Sequence, residues 1–253
     1  MIKRIYRHLL SEKKRIDIRL FLEKKTAFFF KGNNFECNCC GKTFRKMKSK
    51  GNVLRKNAKC PYCSSLERTR LLLFYLENET DIFTKKPCKV LHFAPEWCLI
   101  PKFNQSTSIE YVDADINSNF ASHIINIESI PYSDNYFDYI ICSHVLGHVL
   151  DEQKAIEELC RVLKPDGKAL IMTVIDKNKE KTFEDSSIVT PEDKLKHYSE
   201  SDLVRLHGLD FAQRLSHSFK VEEVDYRKHF DKAFQKRFSL GDGNREIIFC
   251  CTK

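Results

Sequence analysis

The sequence predicts an α/β protein: a parallel sheet wrapped by helices, preceded by a small zinc-ribbon-like module. Three observations predict it. From Lys89 to Asp176, strand-like apolar runs alternate with turns and an amphipathic helix, the pattern of a parallel sheet wrapped by helices. The acidic and polar residues of this stretch gather where the strands should end, which is where open α/β sheets bind ligands. Ahead of it, Cys37 and Cys40 form one C-x2-C pair and Cys60 and Cys63 another, a spacing that brings four thiolates onto one tetrahedral zinc.

The elements follow in order. Residues 1 to about 26 are rich in Lys and Arg and lack Gly and Pro. Ile2, Ile5, Leu9 and Leu10 fall at helical spacing, with Ile18, Phe21 and Leu22 continuing an apolar stripe. Such a helix either packs on the rest of the protein or lies on a membrane surface as a peripheral contact. The zinc module spans 31–86, with Phe35 and Phe44 as apolar support and Cys39 as a spare thiol. Four thiolates leave no open position, so the metal is structural. Between the pairs lies a run without acids, Lys42 to Lys59, either a solvated loop or a phosphate-contacting one. Leu66 to Leu76 reads as a helix whose Glu67, Arg68 and Arg70 belong to the surface or a linker. Lys85-Lys86-Pro87 marks a boundary, and 87–253 forms the main domain.

Within that domain the strands are Lys89–Phe93, Ile109–Val112 running into Asp113-Ala114-Asp115, the run through Tyr139–Cys142, and Ala169–Ile175. Asp151 is the N-cap of a helix that buries Ala155, Ile156, Leu159, Val162 and Leu163, and Pro165 and Gly167 end it. Residues 177–200 form a polar excursion over the substrate mouth. A helix is expected over 202–215, then strands over 219–226 and 245–251.

At 253 residues the chain is one large domain or one with an appendage. Residues 1–86 carry 22 Lys/Arg against 8 Asp/Glu and residues 87–253 carry 21 against 27, so a +14 front joins a −6 body. The contrast points to an intramolecular match or an anionic partner. No apolar run reaches the ~18 residues that span a bilayer. No signal peptide is read, which with eleven cysteines implies a reducing, cytoplasmic setting.

Beyond these readings, the strand Lys89–Phe93, the acid after the second strand, Ile130-Pro131-Tyr132 to Phe137-Asp138, and Leu163-Lys164-Pro165-Asp166-Gly167 together resemble class I S-adenosylmethionine-dependent methyltransferases of the methyltransferase 11 type. Cys60-Pro61-Tyr62-Cys63-Ser64-Ser65-Leu66-Glu67-Arg68, Leu91 to Glu96, Thr182 to Asp185 and Asp202 to Arg205 resemble a subfamily with a zinc knuckle in front, often encoded among bacterial surface-polysaccharide genes. The resemblance covers nearly all of the chain after residue 30.

It implies a Rossmann-like sheet of seven mostly parallel strands, with S-adenosylmethionine as cofactor beside structural zinc. A ribose diol wants a carboxylate at the end of the second strand: Asp115, with Asp113 as the fallback. Ile116 follows it. Asn126 is placed to accept from the adenine amino group, and Ile127 to pack on the ring. The methionine end belongs at Phe93, Ala94, Pro95 and Glu96, with Ser143 and His144 across from it. His148 and His144 are the candidate general bases. Glu184, Arg205 and His207 are candidates for binding the acceptor, with a structural ion pair as the competing role of Arg205. Two departures stand out: the turn after the first strand has no glycine, and Gly147 stands where many relatives carry Glu.

Methyl transfer needs alignment and a dry site more than elaborate side chains. The leading expectation is O-methylation of a small molecule or surface-glycan precursor, at a sugar hydroxyl or a phosphate-type oxygen, including a phosphoramidate modification. The alternatives are an RNA methyltransferase that grips RNA with its zinc module and a non-catalytic cofactor-binding scaffold.

Overall fold

The computed structural model describes residues 10–253. Ile2, Ile5 and Leu9 of the N-terminal stripe lie outside them. The remainder begins with α1 (Glu12–Thr26), capped by the Ser11 hydroxyl accepting from Lys14 N. Only Ile16 of this helix is buried, whereas Ile18, Phe21 and Leu22 stay exposed, so the apolar stripe does not continue into a core. Helix α1 is held instead by an ion pair from Glu23 to Lys59, 2.6 Å, and a hydrogen bond donated by Ser64.

Two short antiparallel hairpins follow. Strand β1 (Lys31–Cys37) pairs with β2 (Lys42–Phe44), and β3 (Lys48–Lys50) pairs with β4 (Arg55–Lys59). Their small core is Ala27, Phe44 and Met47 packed around Cys37 and Cys60. Helix α2 (Glu67–Asn78) then leads into the main sheet.

Glu67 and Arg70 of α2 are buried, which corrects the surface reading. Arg70 donates to the carbonyls of Ser65, Ala58, Phe238 and Ser239 and to the Ser65 hydroxyl. It thereby fastens the hairpins to the C-terminal part of the chain. Arg237 adds a second tie, pairing with Glu36 at 3.0 Å.

The main sheet has β5 (Cys88–Phe93), β6 (Ile109–Asp115), β7 (His123–Ile124), β8 (Phe137–Ser143), β9 (Leu163–Met172), β12 (Lys220–Val224) and β13 (Ile248–Thr252). Their order is β12-β13-β9-β8-β5-β6-β7. Strands β9, β8, β5, β6 and β7 run parallel; β13 is antiparallel to both of its neighbours. Every residue of β8 is buried, as expected of a central parallel strand covered on both faces. Helix α3 (Ile100–Asn104) connects β5 to β6. Helix α4 (Glu152–Val162) buries Ala155, Ile156, Leu159 and Val162 against one face. Its Asp151 cap accepts from Lys154 N at 3.0 Å.

Helix α4 ends at Val162, and the following Leu163 to Gly167 already extends as the start of β9 rather than as a turn. Asp138 of β8 is buried at the opposite end of the sheet from the ligand edge. It accepts from Lys89 N and pairs with Lys85 and Lys164 at 2.8 and 2.9 Å. Its Phe-Asp signature is therefore a structural latch.

The polar excursion is partly ordered. It contains β10 (Phe183–Glu184) and α5 (Pro191–Tyr198), and β10 pairs with β11 (Arg205–Leu206). The helix expected over 202–215 is confined to α6 (Phe211–Leu215), because residues 205–206 form a strand instead. Helix α7 (Lys232–Phe238) precedes the last strand.

Candidate functional site

The carboxyl ends of β5, β6, β8 and β9 open on three cavities that share walls. The first, about 580 Å3, is lined by Phe93, Ala94, Asp115, Ile116, Asn126 and Ile127, together with His144 and His148. The second, about 370 Å3, shares Ala94 and Asp115 and adds Pro95, Glu96 and Arg68. The third, about 550 Å3, shares Arg68 with the second and His144, His148 and Asp202 with the first. The volumes are those of small-molecule sites.

The turn after β5 does without glycine by placing Ala94 at φ +47°, the left-handed region glycine usually serves. The backbone thus makes the same tight bend at a cost of about 1–2 kcal/mol. Glu96 is held by His92 Nε2 at 2.8 Å, while His92 Nδ1 meets the Tyr111 hydroxyl at 3.0 Å. Burial raises the Glu96 pKa, but His92 and the charge of Arg68 outweigh that and bring it below the usual range.

Asp115 Oδ1 accepts from Asn117 N at 2.8 Å, and the residue lines the first and second cavities. Burial raises its pKa, with the Asn117 and Ile116 amides opposing. Asp113, the fallback, is committed elsewhere: its carboxylate accepts from Ser122 N and meets His123 Nδ1 at 3.2 Å. Asn126 Oδ1 already accepts from Glu128 N, so only its second lone pair is open. Ile127 is buried in the cavity wall, whereas Ile116 and Leu150 are exposed at 73% and 79%. Ser143 Oγ is buried with no partner among the described residues. A carboxylate and apolar walls in the lining of the first cavity suit a ligand with a diol and a flat ring, whereas the orphaned Ser143 hydroxyl lies outside the lining of all three cavities.

His144 also adopts positive φ, +59°, and its N–H donates to Met172 O. Its Nε2 faces the carbonyl of Arg245 at 3.3 Å, so that nitrogen carries the proton and Nδ1 is the acceptor. Burial, reinforced by the charge of Arg68, pushes its pKa well below the ordinary value and keeps the ring neutral. His148 Nδ1 donates to Asp202 O at 3.2 Å, with the Asp202 carboxylate at 3.7 Å. Its Nε2 remains available as an acceptor. Gly147 between these residues leaves room for the segment crossing over it: a Cβ there would stand 2.7 Å from Leu203 Cδ2. A larger residue there would have to move the Leu203 side chain.

The proposed acceptor-binding trio is occupied by the fold. Arg205 is 1% exposed and spends all five of its N–H donors on protein acceptors. Two reach Glu184, and three reach the carbonyls of Leu146, Val149 and Leu150. It is a clamp on the turn that carries His148. His207, equally buried, has Nδ1 on Thr173 Oγ1 at 2.8 Å and Nε2 on Glu152 Oε1 at 2.6 Å. Burial lowers its pKa against the opposing pull of Glu152, whose charge Arg214 balances. Glu184 is engaged by Arg205 and faces Arg214 at 3.8 Å. The sequence reading missed Arg68, which borders two of the cavities. Its sequence signals are its place at the end of the Cys60 to Arg68 motif and a charge set at the head of the apolar run Leu71-Leu72-Leu73.

The four thiols of Cys37, Cys40, Cys60 and Cys63 all lie within 4.8 Å of one another. Cys37 and Cys63 Sγ are 3.5 Å apart, and Cys40 and Cys60 Sγ 3.9 Å. Tetrahedral zinc with ~2.3 Å bonds needs about 3.8 Å between sulfurs, so the set fits that ion. Cys98, two residues beyond Glu96 on the turn after β5, stands beside Cys39 and Cys63. The cluster therefore abuts the second cavity.

Residues 101–171 match the family model of a methyltransferase domain, Methyltransf_11. A ubiquinone/menaquinone biosynthesis C-methyltransferase, UbiE, of Francisella tularensis subsp. novicida is 43% identical over 65 residues, 26% of this chain and 22% of that protein. The UbiE of Vibrio cholerae serotype O1 is 47% identical over 47 residues, 19% of this chain and 18% of that protein. The matched stretch thus spans about a fifth of these curated relatives. Among solved structures, the [4+2]-cyclase SpnF superposes with a TM-score of 0.51 at 13% identity, covering 82% of this chain and 86% of that one. That likeness speaks for the fold. Residues 101–171, which match that methyltransferase-domain model, lie on a Rossmann-like sheet, with a four-cysteine cluster before it. Among the described residues, no helix is long and apolar enough to cross a membrane.

Proposed function

We propose that this protein is an S-adenosylmethionine-dependent methyltransferase acting on an oxygen of a small molecule, with surface-glycan precursors as the leading class. One observation carries the reading: His144, His148 and Asp202 form the wall shared by the first and third cavities. A methyl donor in one cavity and an acceptor in the other would meet there.

The donor supplies a methyl carbon already activated by sulfonium charge. The chain's part is to bind, align and deprotonate. Asp115 would accept from the ribose hydroxyls, Ile116 and Ile127 would flank the adenine, and the turn from Phe93 to Glu96 would hold the amino-acid end. His148 Nε2 would take the proton of an acceptor hydroxyl, with Asp202 stabilising the imidazolium. The neutral, buried His144 would help to keep water out. A structural zinc on Cys37, Cys40, Cys60 and Cys63 would fix the module that walls the second and third cavities.

A third cavity of about 550 Å3 supports a small acceptor over RNA. The test is formation of S-adenosylhomocysteine with pooled sugars, sugar phosphates and RNA. Turnover with a sugar or sugar phosphate supports the reading. Turnover with RNA alone, or cofactor binding without turnover on any acceptor, counts against it.

A further inference from the structure

Arg68 stands out among the arginines of this site. Arg55 is paired with Glu67 at 3.0 Å, Arg205 is saturated, and Arg214 is paired with Glu152. The Arg68 guanidinium makes no hydrogen bond or ion pair with any described residue, and its Nε is buried without a partner. The carboxylates closest in influence, Glu96 and Glu67, are already bound to His92 and Arg55.

Arg245 lines the same cavity, 3.7 Å from Glu200 and short of a hydrogen bond. Lys50, from the β3–β4 hairpin, lines it as well. Arg55, Arg68 and Arg245 are close enough to repel one another's charge. A cavity that gathers cations at this density and leaves one fork unused is incomplete without an anion.

We propose that the third cavity binds an oxyanion, a phosphate-type group on the methyl acceptor, held by Arg68 and Arg245 with Lys50 at the mouth. This rests on the methyltransferase reading and names the acceptor class for it. Recognition thus moves from Arg205 and His207, which the fold consumes, to Arg68 and Arg245. The site is composite. Its cations come from the cysteine module and from the loop before β13, and Asn52 closes the seam by donating to Ser199 O and Glu200 Oε2. The anion would anchor the acceptor while a neighbouring hydroxyl faces His148. Because Arg68 also borders the second cavity, the cofactor carboxylate is the rival ligand for it.

The experiment is calorimetric titration of the zinc-loaded protein with inorganic phosphate at fixed ionic strength, with and without saturating S-adenosylhomocysteine. Separate titrations measure S-adenosylhomocysteine itself. The variants are Arg68→Gln, Arg68→Lys, Arg245→Gln and Glu200→Gln. The proposal expects phosphate binding that persists with S-adenosylhomocysteine bound. It expects that binding to weaken at least about tenfold in Arg68→Gln and Arg245→Gln, the loss of a charge-assisted contact. Arg68→Lys keeps part of it. Glu200→Gln tightens phosphate binding about two- to fivefold by freeing Arg245, and this change at a partly exposed side chain carries the test if the arginine variants misfold. S-adenosylhomocysteine affinity stays within about threefold throughout.

Phosphate that does not bind, or that binds every variant alike, overturns the proposal as an adventitious ion only. Arg68→Gln weakening S-adenosylhomocysteine but not phosphate overturns it in favour of the cofactor carboxylate. Phosphate binding with the expected variant pattern but no S-adenosylhomocysteine binding would sink the methyltransferase reading and leave the anion site standing.

Discussion

Replacing Arg205 by Ala should cost stability rather than substrate affinity. The guanidinium is 1% exposed and satisfies Glu184 and three carbonyls of the turn that holds His148. Charge-assisted hydrogen bonds contribute about 1.5–3 kcal/mol each, but five on one fork are not additive. The better guide is loss of one partner from a buried charged network, about 3–5 kcal/mol. Against a total stability of about 5–15 kcal/mol, that is a large fraction. Urea unfolding followed by the fluorescence of the single tryptophan, Trp97, and by circular dichroism reads it directly. Lysine should rescue only part, since its three donors cannot reproduce the planar fork. Stability within about 0.5 kcal/mol of the parent, with a selective rise in KM, would refute the clamp and restore Arg205 to the substrate.

Other outcomes follow from the same geometry. The purified protein should carry one zinc per chain by atomic emission. Its removal by a strong chelator should cost several kcal/mol, a share of the about 10–16 kcal/mol seen for isolated zinc peptides, and open residues 31–63 to protease. Asp138 is burial-raised but driven lower by Lys85 and Lys164, and Glu158 is lowered to about 2 by Arg161. Both folded-state values lie below the unfolded ones of about 4. The stability they add is therefore full above about pH 4.3 and lost as pH falls towards 2, and Glu158→Gln should flatten that limb of the stability–pH curve. His148→Gln should lower kcat about 10²- to 10⁴-fold with little change in S-adenosylhomocysteine affinity. Retention of the parent kcat would remove it from the chemistry.

The sheet was legible because its strands announce themselves. Leu91, Phe93 and Ile140–Cys142 are apolar runs of strand length, and Asp151 caps an unmistakable amphipathic helix. The cysteine cluster was legible from spacing alone. What failed was any residue whose role depends on a distant partner. Arg70 looked like a surface charge, yet its acceptors include carbonyls 168 and 169 residues away. Arg205, open to either an acceptor or a structural ion pair, and His207 find their partners at 146–150, 152, 173 and 184, too far along the chain for local sequence to show. Asp113 and Asp115 are indistinguishable by type. Only the turn at Ser122 and His123, which engages Asp113, separates them. The helix expected over 202–215 failed because residues 205–206 pair with 183–184, a contact no local periodicity encodes.

The central claim is a methyl-donor cofactor held by Asp115, and calorimetric titration with S-adenosylhomocysteine tests it most directly. The parent should bind at micromolar concentration. Asp115→Ala, which loses an acceptor to two hydroxyls at about 1.5–3 kcal/mol each and exposes little new surface, should bind at least about a hundredfold more weakly. Asp113→Ala should lose stability by freeing Ser122 N while keeping cofactor affinity within a few-fold of the parent. A parent protein that does not bind S-adenosylhomocysteine, or an Asp115→Ala variant that binds it as well as the parent, would contradict the account.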